Sequence, residues 1–368
     1  MTKEINPWGS DDVKDYRKIM KEFGISPFSG VMKKLKEPHL LMRRGIVFGH
    51  RGFDSVMASK NYALMTGLMP SGKFHLGHKI LADQIIYHQR ELGAHVFLCV
   101  ADVEAYNMRL ADMKKLRETA IEEYLLNYIA LGLEPKKCDF YFQSERSRDS
   151  GKSNAYYRLA GMAANKVTMN ELKAIYGELS PGKIMSVMLQ VSDILHPQLP
   201  EFGGLKNVVV PVGIDQDPHI RLSRDIAARF SREFGFRAPA ATYHKFILGL
   251  KGGKMSSSDP YSYIALTDSP EEAKKKIYKY AFSGGRKTVE EHRKHGGNPD
   301  IDVSFQYLYS QFEPDDRKIT KIRDDYSSGK LLTGELKQIL IEKLTKFLEE
   351  HQKKREAARK KVDRFLDK

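Results

Sequence analysis

Two stretches of the 368-residue chain carry side chains suited to handling a polyphosphate. The first is Gly67-Leu68-Met69-Pro70-Ser71-Gly72-Lys73-Phe74-His75-Leu76-Gly77-His78. A tight glycine loop leaving a strand brings backbone N–H groups against a phosphate, and a helix start adds the favourable end of its dipole. His75 and His78 stand three apart, on one face of the helix opening here. Gly77 leaves space where a side chain would exclude a flat ring or a ribose. Two imidazoles aimed at a triphosphate donate to oxygens whose charge grows in the transition state. A metal reading of the pair lacks a third protein ligand nearby, and a structural turn accounts for the same residues with no ligand at all. The second stretch is Gly252-Gly253-Lys254-Met255-Ser256-Ser257-Ser258-Asp259-Pro260. Its glycines permit tight curvature, Lys254 supplies a point charge for phosphate, and three hydroxyls flank it. Such a loop can close over a leaving pyrophosphate and exclude water. The Gly-x-x-x-x-Gly-Lys-Ser/Thr order of a P-loop does not occur, and a Gly/Ser loop alone is common.

The surrounding pattern predicts what holds these stretches. Tyr62 to Gly67 reads as a buried strand, followed by a helix with Leu76, Ile80, Leu81, Ile85 and Ile86 at helical spacing. His95 to Ala101, Phe140 to Phe142 and Asn207 to Val212 read as further strands. Helices are expected over Met113 to Leu131, 154–170 and 181–195, and after Gly213-Ile214-Asp215-Gln216-Asp217-Pro218. Strands alternating with helices over about 62–245 predict an α/β fold, a Rossmann-like, mostly parallel sheet covered on both faces. Ligands in such sheets sit beyond the carboxyl ends of the strands, where these polar motifs fall. Past residue 265 the alternation stops. Ser269-Pro270-Glu271-Glu272 marks a helix start, and an apolar stripe from Leu336 to Leu348 marks a long terminal helix whose end is basic. Its charge suits either a solvated face or contact with RNA. The expected organisation is an N-terminal segment (1–60) packing on the catalytic domain, that domain itself with a helical insertion (61–265), and an all-helical C-terminal domain (266–368).

Composition narrows the class. The chain is 41% hydrophobic and 29% charged, which fits a substantial core and argues against general disorder. Its net charge of +14 suits a polyanionic partner, although many basic proteins touch no nucleic acid. Cys99 and Cys138 are too few for a disulfide scaffold, and Cys99 lies in an apolar run, so a reducing, intracellular setting is expected. No apolar run approaches the roughly 18 residues of a membrane span, and Met1 to Pro7, with Lys3 and Glu4 and no apolar core, is not expected to be a secretory signal.

Together the two stretches resemble the signatures of class I aminoacyl-tRNA synthetases, a His-x-Gly-His tetrapeptide and a Lys-Met-Ser-Lys-Ser-like loop, here with Ser257 in place of the second lysine. Within that class the chain is similar to the tryptophanyl branch of the archaeal and eukaryotic type. The match includes Asn6-Pro7-Trp8, Leu41 to Phe48 with His50-Arg51, Ile214 to Pro218, Ala281 to Arg286, Glu290 to Arg293 and Asp302 to Phe305. The resemblance implies ATP-dependent activation of L-tryptophan and its transfer to tRNA(Trp), with Mg²⁺ accompanying ATP, in a cytoplasmic homodimer with no membrane partner. It implies His75, His78, Lys254 and Ser256 as catalytic groups, and Gly67, Ser71, Gly77, Asp215, Met255, Ser257 and Ser258 against ATP. Glu104, Gln190 and Gln216 belong with the amino acid, Arg286, Lys287 and Arg293 with the tRNA, and the segment around Trp8 folds over the ATP pocket.

Two departures bear on substrate choice. Familiar eukaryotic members contact the indole with a tyrosine and a glutamine, where this chain has Met65 and Cys99. Met65 offers an adaptable apolar surface and Cys99 a weak donor; both also read as plain strand-core residues. The indole N–H then needs another acceptor, and Glu104 is the expected one. Lys287 also replaces an acidic residue. Activation of tyrosine, or a catalytically silent RNA-binding paralogue, are the alternative readings.

Overall fold

A computed structural model describes residues 16–59, 61–109, 112–256 and 258–366. The expectations for Trp8 and for Ser257 lie outside the described residues. Seven strands form one sheet: β1 (Ser26–Pro27), β2 (Val47–Arg51), β3 (Ala63–Leu68), β4 (His95–Val100), β5 (Cys138–Phe142), β6 (Val208–Gly213) and β7 (Ala240–His244), in the order β1-β2-β7-β6-β3-β4-β5. The five strands from β7 to β5 run parallel; β2 runs antiparallel to β7, and β1 to β2. The chain starts this parallel core at β3, moves outward through β4 and β5, then returns to β6 on the other flank. The crevice between β3 and β6 is thus the topological switch point, where doubly wound sheets bind ligands. Both faces are covered, so β3 and β4 are buried along most of their length instead of alternating.

The N-terminal segment does more than pack on this sheet, because β1 and β2 extend it. Arg51, on β2, reaches the fully buried Asp217 at 2.9 Å, and Tyr243 of β7 donates to the same carboxylate. The helix Pro181–Leu195 begins at a Ser180 cap with Pro181 in its first turn. It lays Val187, Val191 and Ile194 into the second core cluster beneath β3 and β6. The expected Met113 to Leu131 helix is interrupted by a π-helical turn at Ala120–Leu125.

Beyond β7 every element is helical, closing with Thr333–Ala358 and the short Asp363–Leu366. The long helix docks on the catalytic unit, where His351 Nε2 meets Asn127 Oδ1 at 2.7 Å, and within the helical region Gln352 donates to the Asp268 carbonyl at 2.8 Å. Arg355 and Arg359 pair with Glu122, so part of the basic end serves an internal contact. On the other side Arg44 binds Asp316 at 2.7 Å and the Tyr309 carbonyl. Among the described residues no helix is long and apolar enough to cross a membrane.

Candidate active site

His75 caps the helix Leu76–Arg90, which follows the loop out of β3. Its Nδ1 accepts from the Gly77 N–H at 3.1 Å, and His78 Nδ1 accepts from the His75 N–H at 3.2 Å. The rings lie with centroids 3.8 Å apart, against Tyr263, Phe74 and Tyr124. Burial lowers the His75 pKa to about 4; burial, and secondarily His75, holds His78 well below its usual value. Both imidazoles are therefore neutral at pH 7. With each Nδ1 lone pair committed to a backbone N–H, the proton resides on Nε2, which leaves that N–H as the ring's donor.

The second stretch comes back to this helix. Ala265 bridges His75 in antiparallel fashion, Leu76 N–H donates to Ile264 at 3.1 Å, and Leu266 N–H donates to Phe74 at 2.9 Å. Asp268 fixes the return: fully buried, it accepts from the Ala265 N–H at 2.9 Å and from Lys276 at 2.6 Å, with Lys73 at 3.8 Å. Within the loop, Ser256 N–H donates to Ser262 Oγ at 3.0 Å, and the Ser256 and Ser258 hydroxyls lie 2.9 Å apart. A Cβ on Gly77 would lie 2.9 Å from His75 Cε1 and 3.1 Å from Met255 Sδ. The room at Gly77 is thus taken up by the capping ring and by the opposite loop.

Behind this junction a cavity of about 650 Å³ opens at the switch point, lined by β3, β4 and β6 and by the helices that come after them. Gly67, Lys254, Asp215 and Gln216 line it, as do Met65, Cys99, Glu104 and Gln190. Gly67 has open space where a Cβ would stand, whereas one on Gly213 would strike Asp215 Oδ1 at 2.7 Å. Lys254 Nζ is 5.0 Å from the Phe246 ring centroid. Burial raises the Asp215 carboxyl, with Lys254 the leading opposing influence. Glu104 is half-buried in the first turn of the helix Asp102–Arg109, and its N–H donates to Gln143 at 3.2 Å.

The tRNA-facing expectation concerns residues on another part of the molecule. Arg286 Nε donates to the Gly296 carbonyl at 2.9 Å and Arg293 Nη1 to the Gly329 carbonyl at 2.9 Å, which anchors one edge of each guanidinium on the helical domain's turns. Lys287 is exposed. Sequence reasoning also missed residues of the cavity, chiefly Gln143, Asp193 and His244. The available signal was Asp193 itself, a charged residue inside the apolar run Val187 to Leu195. Among the described residues no cluster of three or more His, Cys, Asp or Glu side chains could hold a metal ion.

A parallel sheet with a histidine-capped helix and a lysine–serine loop meeting over its switch point defines an adenylate-forming class I architecture. The family model described as tRNA synthetases class I (W and Y) matches residues 57–349. A tryptophan–tRNA ligase of Hyperthermus butylicus is 48% identical, the alignment covering 99% of this chain and 98% of that one. The crystal structure of the tryptophanyl-tRNA synthetase of Aeropyrum pernix K1 superposes with a TM-score of 0.91 at 47% identity, covering 98% of each chain. That of the Plasmodium falciparum tryptophanyl-tRNA synthetase gives 0.86 at 32% identity, covering 96% of this chain and 98% of that one. The chain belongs to the class I tRNA synthetase family for tryptophan and tyrosine, in its tryptophanyl branch of the archaeal and eukaryotic type.

Proposed function

We propose that the cavity activates L-tryptophan with ATP and passes the aminoacyl group to the 3′-terminal adenosine of tRNA(Trp). The observation that carries this reading is the junction of the two stretches: Met255 against Gly77, with Lys254 and Asp215 at the cavity behind them. The tryptophan side chain enters between Met65 and Cys99, with Glu104, Gln190 and Gln216 toward its polar end. ATP lies across Gly67 and Ser71 toward the helix start at Gly77, and Asp215 serves its nucleoside side. The tryptophan carboxylate attacks the α-phosphorus in line, and pyrophosphate leaves. The Nε2–H groups of His75 and His78 donate to phosphate oxygens that gain charge, and Lys254, with Ser256 and Ser258, takes the departing pyrophosphate. Neutral donors suit this work because they need no proton transfer of their own. Positioning replaces any covalent nucleophile or dedicated base. A ribose hydroxyl of the terminal adenosine, the 2′ oxygen in the first instance, then attacks the adenylate carbonyl and AMP leaves.

Mg²⁺ would arrive on the triphosphate: the groups around the phosphate site are imidazole, ammonium and hydroxyl donors, not a carboxylate cage. The chain's own residues therefore bind the phosphates, and no step is assigned to the metal. The helical region 266–368 is the candidate for anticodon contact, with Lys287 an exposed basic group there. A cytoplasmic homodimer completes the reading, supported by family membership and by two buried free cysteines. The test is amino-acid-dependent exchange of pyrophosphate into ATP with each of the twenty amino acids, then charging of tRNA with the one that exchanges. Tryptophan is expected to support exchange; no exchange with any amino acid rejects the activation chemistry. Light scattering that gives a monomer mass at working concentration rejects the dimer.

A further inference from the structure

A second cavity, of about 560 Å³, opens at the far end of β6 and β7, where the two strands begin. The catalytic cavity takes the last residues of those strands, Val210 to Gly213 and His244. This one takes Val208, with Asn207 and Ala238 just ahead of the strands, and the two cavities share no lining residue. Two arginines reach it from separate elements, Arg224 from the helix Asp217–Arg229 and Arg237 from the segment before β7. Among the described residues no Asp or Glu lines it. Arg224 is half-buried and spends only Nη1, on the Pro239 carbonyl at 2.6 Å; Arg237 is exposed and gives one hydrogen to Asn207 Oδ1 at 3.4 Å. Each guanidinium has five N–H donors, and neither is ion-paired with a carboxylate among the described residues. Arginines that the fold buries deeper, such as Arg44 and Arg146, are each held by an aspartate. Burial, and after it the Arg51 charge, lowers the Arg224 guanidinium from its ordinary value, while Tyr243, Asp225 and Asp217 act the other way. A half-buried cation with most of its donors unused is costly unless an anion completes it.

The rest of the lining narrows the kind of anion. Gly52, at a φ of +69°, turns the chain from β2 into the short helix Phe53–Met57 and passes close to the cation: a Cβ there would stand 3.6 Å from Arg224 Nη1. The turn brings Ser55 and Ser59 to the cavity. Ser55 donates to the Gly52 carbonyl at 2.7 Å and Ser59 to the Asn61 carbonyl at 2.9 Å, so each hydroxyl oxygen is left only to accept. We propose that this cavity binds a phosphate monoester of a hydroxyl-bearing small molecule, of the sugar phosphate class. Arg224 and Arg237 take the phosphate, and Ser55 and Ser59 accept from the ligand's hydroxyls. The planar guanidinium fork matches phosphate oxygens two at a time, and the volume is that of a small-molecule site. A polynucleotide backbone carries one charge per phosphate along an extended surface, whereas a recess with two guanidinium groups and hydroxyl acceptors suits a compact dianion.

The test is calorimetric titration of the full chain with ribose 5-phosphate, with inorganic phosphate and with ribose, all at one ionic strength so that general screening stays fixed. Ribose 5-phosphate is expected to bind saturably at one site per chain, inorganic phosphate more weakly, and ribose not at all. Arg224→Met and Arg237→Met should each weaken ribose 5-phosphate by about tenfold or more, the range of hydrogen bonds to a charged group. Lys254→Ala, which alters the catalytic cavity, should leave that affinity unchanged. No saturable binding of ribose 5-phosphate overturns the proposal, and so does binding kept in both arginine variants. A loss in Lys254→Ala equal to that in the arginine variants would put the ligand in the catalytic cavity and overturn it as well. Inorganic phosphate binding as tightly as ribose 5-phosphate would refute the assigned ligand class. Weaker tRNA binding in Arg237→Met with ribose 5-phosphate unaffected would give the arginine to RNA instead, against the proposal. Should Arg224→Met fail to fold, Arg237→Met decides alone, since its one bond is the 3.4 Å contact to Asn207.

Discussion

Replacing Gly77 by alanine separates catalysis from stability at one atom. Gly77 lies in the first turn of a helix and has no positive φ, so alanine fits the backbone. Its Cβ would meet His75 Cε1 at 2.9 Å, His75 Nδ1 at 3.0 Å and Met255 Sδ at 3.1 Å. The imidazole must swing away, breaking the Nδ1 bond to the residue-77 N–H, and the loop that carries Lys254 must lift with Met255. The folded state gains about 1 kcal/mol from alanine's helix propensity and loses about 1 kcal/mol with the cap. Those contributions nearly cancel, so Tm should move by no more than about 2 °C. The reaction has no such compensation, since a displaced His75 Nε2–H no longer meets the developing charge. Removing one preorganised donor costs on the order of 10²-fold in kcat, and the lifted loop adds to it. Pyrophosphate exchange and a thermal melt on the same preparation make the test. Exchange within threefold of the unaltered chain would refute the reading of this junction, and so would a large fall in Tm accompanying the lost activity.

Three other perturbations draw on the same geometry. Lys254→Ala should lower kcat for exchange by about 10²-fold while the tryptophan Kd, measured by calorimetry, barely moves; equal losses in both would make Lys254 a ground-state contact. Arg51→Met should cost about 3 kcal/mol in urea unfolding, because it strips the buried Asp217 of a partner at 2.9 Å. The lower end of the range applies, since Arg221 stays within 3.1 Å; a change below about 1 kcal/mol would contradict the assigned burial. Stability should also decline with acid. Burial places His75 and His244 near a pKa of about 4 and His88 and His219 near about 3, below the ordinary value of 6.5. The unfolded chain thus binds more protons below about 6.5, so stability is full above that pH and falls as the pH drops toward 4, by at most about 1.4 kcal/mol per pH unit for each histidine. Urea midpoints that stay flat from pH 7 to pH 5 would contradict this.

The parallel core was legible in the sequence because its strands are fully buried and so appear as uninterrupted apolar runs: β3, β4 and β6 fall within a residue or two of their expected places. The strands that escaped notice lack that mark. Ala240-Ala241-Thr242-Tyr243-His244 has few β-branched residues, and its place in the sheet is secured by β6 on one side and β2 on the other. In β2, Gly49 and Arg51 disguise a strand whose arginine points at Asp217, far along the chain. Likewise Ala120–Leu125 has ordinary helical composition, and nothing local to it announces a π-helical turn.

Chemistry that acts on a phosphate was equally legible, since glycine, histidine, lysine and serine in short loops have few structural reasons to cluster. Choice of substrate was legible through the resemblance along the whole chain but not from the pocket residues themselves, and the reason is physical. A pocket for an indole is made of the same residue types as a core, so Met65 and Cys99 carry no mark that separates ring contact from packing. What distinguishes this wall is the polar group it tolerates. Asp193 is legible only as an anomaly, a carboxylate among Val187, Leu189, Val191 and Ile194, and its donors come from β5 and its end and from the helix Ser150–Ala163. Tyr141, Gln143 and Tyr156 lie 37 to 52 residues from it along the chain. Each taken alone is an ordinary buried polar residue. Only the fold gathers them around one carboxylate at the wall of the cavity.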